Sequence, residues 1–144
     1  MADLVLVGVD GSDCGRRAAE FAASRAEAAG ARLVLAFVIE WSPYTFNTPE
    51  ENEVRHRRRE EEIARARAQV LDPAVAELAA RGLAVESAVR HGHVAQVLHD
   101  LAQELGATEI VIGRIGIPRL KALLFGSVAA SLVQIAPVPV TVVP

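Results

Sequence analysis

The chain contains 144 residues, 51% of them hydrophobic and 23% charged, with a formal net charge of −3 and a single cysteine. This is a globular rather than a disordered composition, and the acidic balance argues against a general nucleic-acid or anionic-membrane binder, whose affinity comes from clustered Lys and Arg. Cys14 alone excludes an internal disulfide, and no apolar run reaches the roughly 18–20 residues that span a bilayer. The expectation is one domain over residues 1–144, cytoplasmic, with no nucleic-acid partner and no membrane insertion.

Leu4-Val5-Leu6-Val7 is continuously apolar and runs into Gly8-Val9-Asp10-Gly11-Ser12, as in a strand buried on both faces that ends in a turn. Cys14 to Ala29 is alanine-rich and predicts the first helix, with Ser12 or Asp13 as N-cap and Gly30 as the stop. Leu33 to Ile39 is a second apolar strand. From about Glu51 to Arg81 charges dominate a long helical stretch that Asp72-Pro73 is expected to interrupt. Leu83 to Arg90 alternates, with Leu83, Val85 and Val89 on one side and Glu86 and Arg90 on the other, the pattern of a half-exposed edge strand. Val94, Val97, Leu98, Leu101, Ala102 and Leu105 keep helical spacing on one face until Gly106. Glu109 to Ile112 gives the fourth strand, Gly126 to about Ile135 the last helix, and Val138 to Val143 the fifth strand. Five strands alternating with four helical segments imply an α/β fold, an open parallel sheet with helices on both faces.

Two irregular stretches, Trp41 to Pro49 and Arg114 to Phe125, exceed the usual strand-to-helix connection of about 2–6 residues. Both leave the carboxyl ends of strands, where open α/β sheets bind ligands. The second stretch lies in a segment, Ile110 to Pro144, that carries Arg114, Arg119 and Lys121 and no Asp or Glu. Its glycines allow backbone N–H groups to approach a ligand, and the helix opening at Gly126-Ser127 presents unpaired donors with a partial positive charge. Such a place favours phosphate.

Gly113, two residues, Gly116, nine residues and then Gly126-Ser127 resembles the nucleotide-binding pattern of the universal stress protein family. The likeness extends to Val9-Asp10-Gly11-Ser12 after the first strand, to His91-Gly92 before the third helix, and to Ala136-Pro137-Val138-Pro139-Val140 near the end. The resemblance implies a Rossmann-like sheet of order 3-2-1-4-5 and, in members that keep the glycine pattern, ATP held between the ends of strands one and four. Carried over by position, Val9, Asp10, Gly11 and Ser12 form the turn beside the nucleotide, with Asp10 facing it and its Mg. Val38 and Ile112 pack near adenine. Gly113, Arg114 and Gly116 approach ribose and phosphates, and Gly126, Ser127 and Val128 hold the phosphates. Ile117-Pro118 departs from the basic or small polar pair that the family often has after Gly116; Arg119 or Lys121 could supply charge instead.

Each of these residues has a plainer reading. Asp10 could simply cap the next helix. His91 and His93, lacking an evident third ligand, read as loop histidines rather than a metal site. Cys14 reads as a small packed residue rather than a reactive thiol. The run Arg55-His56-Arg57-Arg58-Arg59, followed by Glu60-Glu61-Glu62, reads as a solvated helix face. Trp41, Tyr44 and Phe46 hold three of the chain's six aromatics, over a ligand, on a partner or packed down on the sheet.

No Walker pattern is present and no carboxylate besides Asp10 is placed near the phosphates, so the first expectation is a nucleotide-dependent regulatory protein without dedicated catalysis. Alternatives are a slow ATPase and a nucleotide-free dimerisation module. The resemblance also implies a homodimer through Val138 to Val143, an apolar terminal strand at a sheet edge.

Overall fold

The computed structural model describes residues 3–40, 48–116 and 126–144. The loop aromatics Trp41, Tyr44 and Phe46 and the cations Arg119 and Lys121 lie outside the described residues. The elements are β1 (Leu4–Gly8), α1 (Asp13–Ala29), β2 (Arg32–Ile39), α2 (Pro49–Ala66), a π-helical turn (Arg67–Leu71), α3 (Asp72–Ala80), β3 (Val85–His91), α4 (Val94–Leu105), β4 (Glu109–Gly113), α5 (Ser127–Ile135) and β5 (Val140–Val143). All four strand pairings are parallel, and the order is β3-β2-β1-β4-β5. The expected α/β fold is therefore observed, with β3 and β5 at the margins.

The central strands are apolar at successive positions because both sheet faces are covered. On one face Val5, Val7, Leu33, Leu35 and Val111 pack against α1 and α3; on the other Leu4, Leu6, Val34, Ile110 and Ile112 pack against α4 and α5. The buried side of α1 is small throughout, with Ala18, Ala19, Ala22, Ala23 and Ala26. Ser12 is its N-cap: the Ser12 hydroxyl accepts from Gly15 N–H at 3.0 Å. Gly30 closes the helix in a left-handed conformation, and Gly106 does the same for α4.

Several boundaries shift by one or two residues, as β3 does to Val85–His91, and two differences have a clear physical cause. Asp72-Pro73 does not break the charged helix. A π turn precedes it, in which Asp72 N–H donates to the Arg67 carbonyl, and Pro73 stands in the first turn of α3. Proline removes one i→i−4 bond and crowds the carbonyl below it; widening the preceding turn relieves both, and the chain stays helical. The last strand begins at Val140 rather than Val138, because Pro139 lacks a donor and enters the ladder only as an acceptor, from Ile110 N–H at 3.0 Å.

Glu109 ties three elements together at the start of β4. Arg25 of α1 donates to its carboxylate at 3.0–3.3 Å, and the Thr141 hydroxyl of β5 donates to it at 2.8 Å. Burial pushes the Glu109 carboxyl up, but the hydrogen bonds from Arg25 and Thr141 and the Arg25 charge outweigh it and leave the acid below its ordinary value of 4.5. A depressed folded value stabilises the protein above the unfolded value and is lost as pH falls through the folded one. Glu109→Gln should therefore cost about 1 kcal/mol at neutral pH, discounted for the half-exposed Arg25, and the parent and variant should converge when urea denaturation is followed below pH 4.5.

Candidate functional site

A cleft of about 580 Å³ opens at the carboxyl ends of β1, β2 and β4, bounded by the first turns of α4 and α5. Its lining includes Val9, Asp10 and Ser12 after β1, Val38 of β2, and Ile112, Gly113, Arg114 and Gly116 at the end of β4. Gly126, Ser127 and Val128 at the start of α5 complete it. Of the described residues that the family resemblance carried to the nucleotide, only Gly11 does not line this cleft. It has a φ of +84° and lies in a neighbouring cleft of about 850 Å³ between the end of β2 and the α2–α3 region.

Backbone crowding explains the glycines. A Cβ on Gly113 would lie 2.9 Å from the Cys14 carbonyl carbon, so glycine lets β4 pass directly under the first turn of α1. A Cβ on Gly116 would lie 2.5 Å from Asp10 Oδ2, so the loop after β4 meets the turn after β1 with nothing between them but that carboxylate. Gly126 is the N-cap of α5 with φ −71°, and its N–H donates to the Arg114 carbonyl at 2.8 Å, closing the base of the long loop.

Asp10 is exposed and does not cap α1, which Ser12 does; its Oδ1 accepts from Ser12 N–H at 2.9 Å and so holds the turn in shape. The Ser12 hydroxyl is buried and committed to the cap. Arg114 is anchored through its backbone, its N–H donating to the Val143 carbonyl at 2.7 Å, while its exposed guanidinium makes no ion pair among the described residues. No capping side chain serves the first turn of α5, so the N–H groups of that turn face the cleft with the helix's partial positive charge.

Sequence reasoning missed Glu40, which lines the cleft at the end of β2, and Val94 and Leu98, which reach it from α4. Leu98 was legible as a core residue of its helix, but nothing in its spacing says that the core ends there in an opening. Gly15 was also missed; a Cβ there would lie 3.0 Å from Asp10 Oδ1. Among the described residues no group of three or more His, Cys, Asp or Glu is arranged to hold a metal. His91 ends β3 and His93 is the N-cap of α4, apart from the cleft lining. Cys14 is buried, its thiol donating to the Val143 carbonyl at 3.3 Å.

The two loop glycines should respond differently to a methyl group. Gly113→Ala meets backbone that cannot move independently and should cost about 2 kcal/mol, as overpacking does; Gly116→Ala meets the far end of a rotatable side chain, should cost less than about 1 kcal/mol, and should displace the Asp10 carboxylate. Urea denaturation of both variants and a crystal structure of the second test this.

The universal stress protein family matches the chain over residues 1–144. Universal stress protein YxiE of Bacillus subtilis (strain 168) is 28% identical over 152 residues, covering 99% of each chain. The structure of UspA from Lactobacillus plantarum aligns with a TM-score of 0.88 at 24% identity, over 99% of this chain and 97% of its own. A universal stress protein crystallised in complex with cAMP aligns with a TM-score of 0.64 at 26% identity, over 99% of this chain and 96% of its own. With the parallel sheet in the order 3-2-1-4-5 and a family match from end to end, this chain belongs to the universal stress protein family.

Proposed function

We propose that the chain binds an adenine nucleotide, ATP with Mg, in the 580 Å³ cleft and acts as a nucleotide-dependent regulatory module. The observation that carries this reading is the convergence, in one opening, of apolar walls at Val38 and Ile112 with an uncapped helix N-terminus at Gly126-Ser127-Val128. A flat apolar ring fits between the walls, and phosphate oxygens accept from the helix N–H groups and the Ser127 hydroxyl. Arg114 adds positive charge. Mg is held in such sites by one or two carboxylates together with substrate phosphates, a demand that Asp10 meets without a dedicated protein cage. The cAMP complex of a relative 26% identical supports the adenine class.

Calorimetry and thermal unfolding test the reading. ATP with Mg at a hundred times its Kd should add about 2.7 kcal/mol of stability, on the order of 5–10 °C in Tm, and Gly126→Asp, which places a carboxylate at the phosphate end, should abolish the shift. Absence of heat with ATP, ADP and AMP overturns it and leaves a nucleotide-free dimerisation module. Incubation with labelled ATP separates a binder, which retains intact nucleotide for hours, from a slow ATPase whose turnover disappears in Asp10→Ala.

The second element of the proposal is a homodimer through Val138 to Val143. β5 is an edge strand, and the neighbouring helix α5 exposes Val133 at 57% and Ile135 at 42%. The Pro139 and Val143 carbonyls face β4, accepting from Ile110 and Arg114, so the alternate N–H groups of Val140 and Val142 point away from the sheet. Val142→Pro should remove an outward donor, leave the β4 ladder intact and convert a dimer to a monomer in sedimentation velocity. An unchanged sedimentation coefficient would exclude this edge as the interface.

A further inference from the structure

Helix α2 is 18 residues long, starts at a capping box of Thr48 and Glu51, and buries only Ala66. Helices gain most of their stability in proteins from a packed face, and one polar all round needs either many internal pairs or a partner. At 3.6 residues per turn, Ile63 and Ala66 share the side turned to the rest of the chain. Glu50, Val54, Arg57, Glu61 and Ala64 form the opposite stripe, and all five are exposed, Val54 at 47%.

The order of charge along this helix reverses about Arg59. Arg58 stands one residue before that point and Glu60 one after; Arg57 is matched by Glu61, His56 by Glu62, Glu53 by Arg65 and Glu51 by Arg67. The pairs nearer neutral, Val54 with Ala64 and Asn52 with Ala66, set no like charges against each other. Two such helices laid antiparallel about a two-fold axis at residue 59 would set Arg57 and Arg58 beside Glu61 and Glu60, and Val54 beside Ala64; Arg55, matched by Ile63, and Arg59, matched by itself, stand on the helix side shared with Ile63 and Ala66. A symmetric interface requires a patch complementary to itself, and this sequence has that property.

The alternative use for these charges is pairing within the helix. His56 and Glu60 do this at 3.1 Å. Arg57, Arg58, Glu61 and Arg65, by contrast, make no ion pair among the described residues, and the two charges at the centre of the stripe, Arg57 and Glu61, are left for a partner.

We propose that the outward face of α2 is a self-complementary docking surface whose occupant is α2 of a second copy, antiparallel and centred on Arg59. It is distinct from the β5 edge and independent of nucleotide. Exposed ion pairs are individually weak and screened by salt, so the contact is reversible and adds to whatever assembly the other edge provides.

Two variants of the full chain test it, Arg57→Glu with Arg58→Glu and Glu60→Arg with Glu61→Arg, each checked for parental helicity by circular dichroism. In low salt at high protein concentration, sedimentation equilibrium should give each variant half the parental mass, whether the parent is a dimer or a tetramer. An equimolar mixture should regain the parental mass, because the acidic block of one meets the basic block of the other. A chain carrying all four substitutions, which restores the reversal of sign, should also regain it. The parent itself should fall to half its mass at about 1 M salt, where the screening length is about 3 Å. Variants that keep the parental mass, or a mixture that stays at half, would overturn the proposal and point to an occupant other than this chain.

Discussion

The site depends on β1 and β4 lying side by side in parallel while the helices that follow them leave toward opposite faces. α1, after β1, packs on the face of Val5 and Val7; α5, after β4, packs on the face of Leu4 and Leu6. The chain therefore builds the sheet outward from β1 in one direction through β2 and β3, then returns to add β4 and β5 on the other side. At that reversal two connections diverge, and no helix can cover the gap between them. The cleft is the space that this topology leaves open, and the residues at the two strand ends line it whatever their identity.

Identity then decides how closely the two ends approach. Alanine along α1 lets the helix lie low on the sheet, and Gly113 lets β4 run beneath the Cys14 carbonyl. Gly8 plays the corresponding part on the other face, where a Cβ would lie 3.1 Å from Leu98 Cδ1. With the strands drawn together in this way, the Asp10 carboxylate falls against Gly116, and the loop after β4 is fixed at its root by Gly126 N–H on the Arg114 carbonyl. Close packing and the shape of the opening are thus one property: larger residues at Gly113 or Gly8 would move the walls of the cleft as well as strain the core.

Those parts of the fold governed by local chemistry were legible in the sequence. Continuous apolar runs marked β1, β2 and β4 because both of their faces are buried, alternation marked β3 because one of its faces is not, and Gly30 and Gly106 stopped α1 and α4 by accepting a left-handed backbone. The capping box at Thr48 and Glu51 was equally local, yet the first turn of α2 went unread beside the proline and the aromatics that precede it. What the sequence could not convey depended on distant residues. The π turn before Pro73 is one of two ways to accommodate a proline, and Leu71, buried at its end, and Leu78, buried in α3, favour the one that keeps the helix on the sheet. Gly11 is adjacent in sequence to Asp10 but turns toward Val70 and the neighbouring cleft, a direction set by a residue of the π turn far away in sequence.

Glu40 changes the electrostatic picture most. The segment from Ile110 onward has cations and no acids, which suggests a purely attractive site for an anion, yet in the folded protein Asp10 and Glu40 enter the same cleft from β1 and β2. Arg114 and the amino end of α5 line this cleft together with the two carboxylates, and Asp10 reaches across to Gly116. On the reading proposed above, the two carboxylates would oppose a bare polyanion at the helix end, and a divalent cation carried by the ligand would offset them. The cleft also has a direction. Apolar walls at Val38 and Ile112 and the donor-rich end at Gly126 leave one orientation for a molecule that is flat and apolar at one end and anionic at the other, and the acidic pair tunes how much countercharge that molecule must bring.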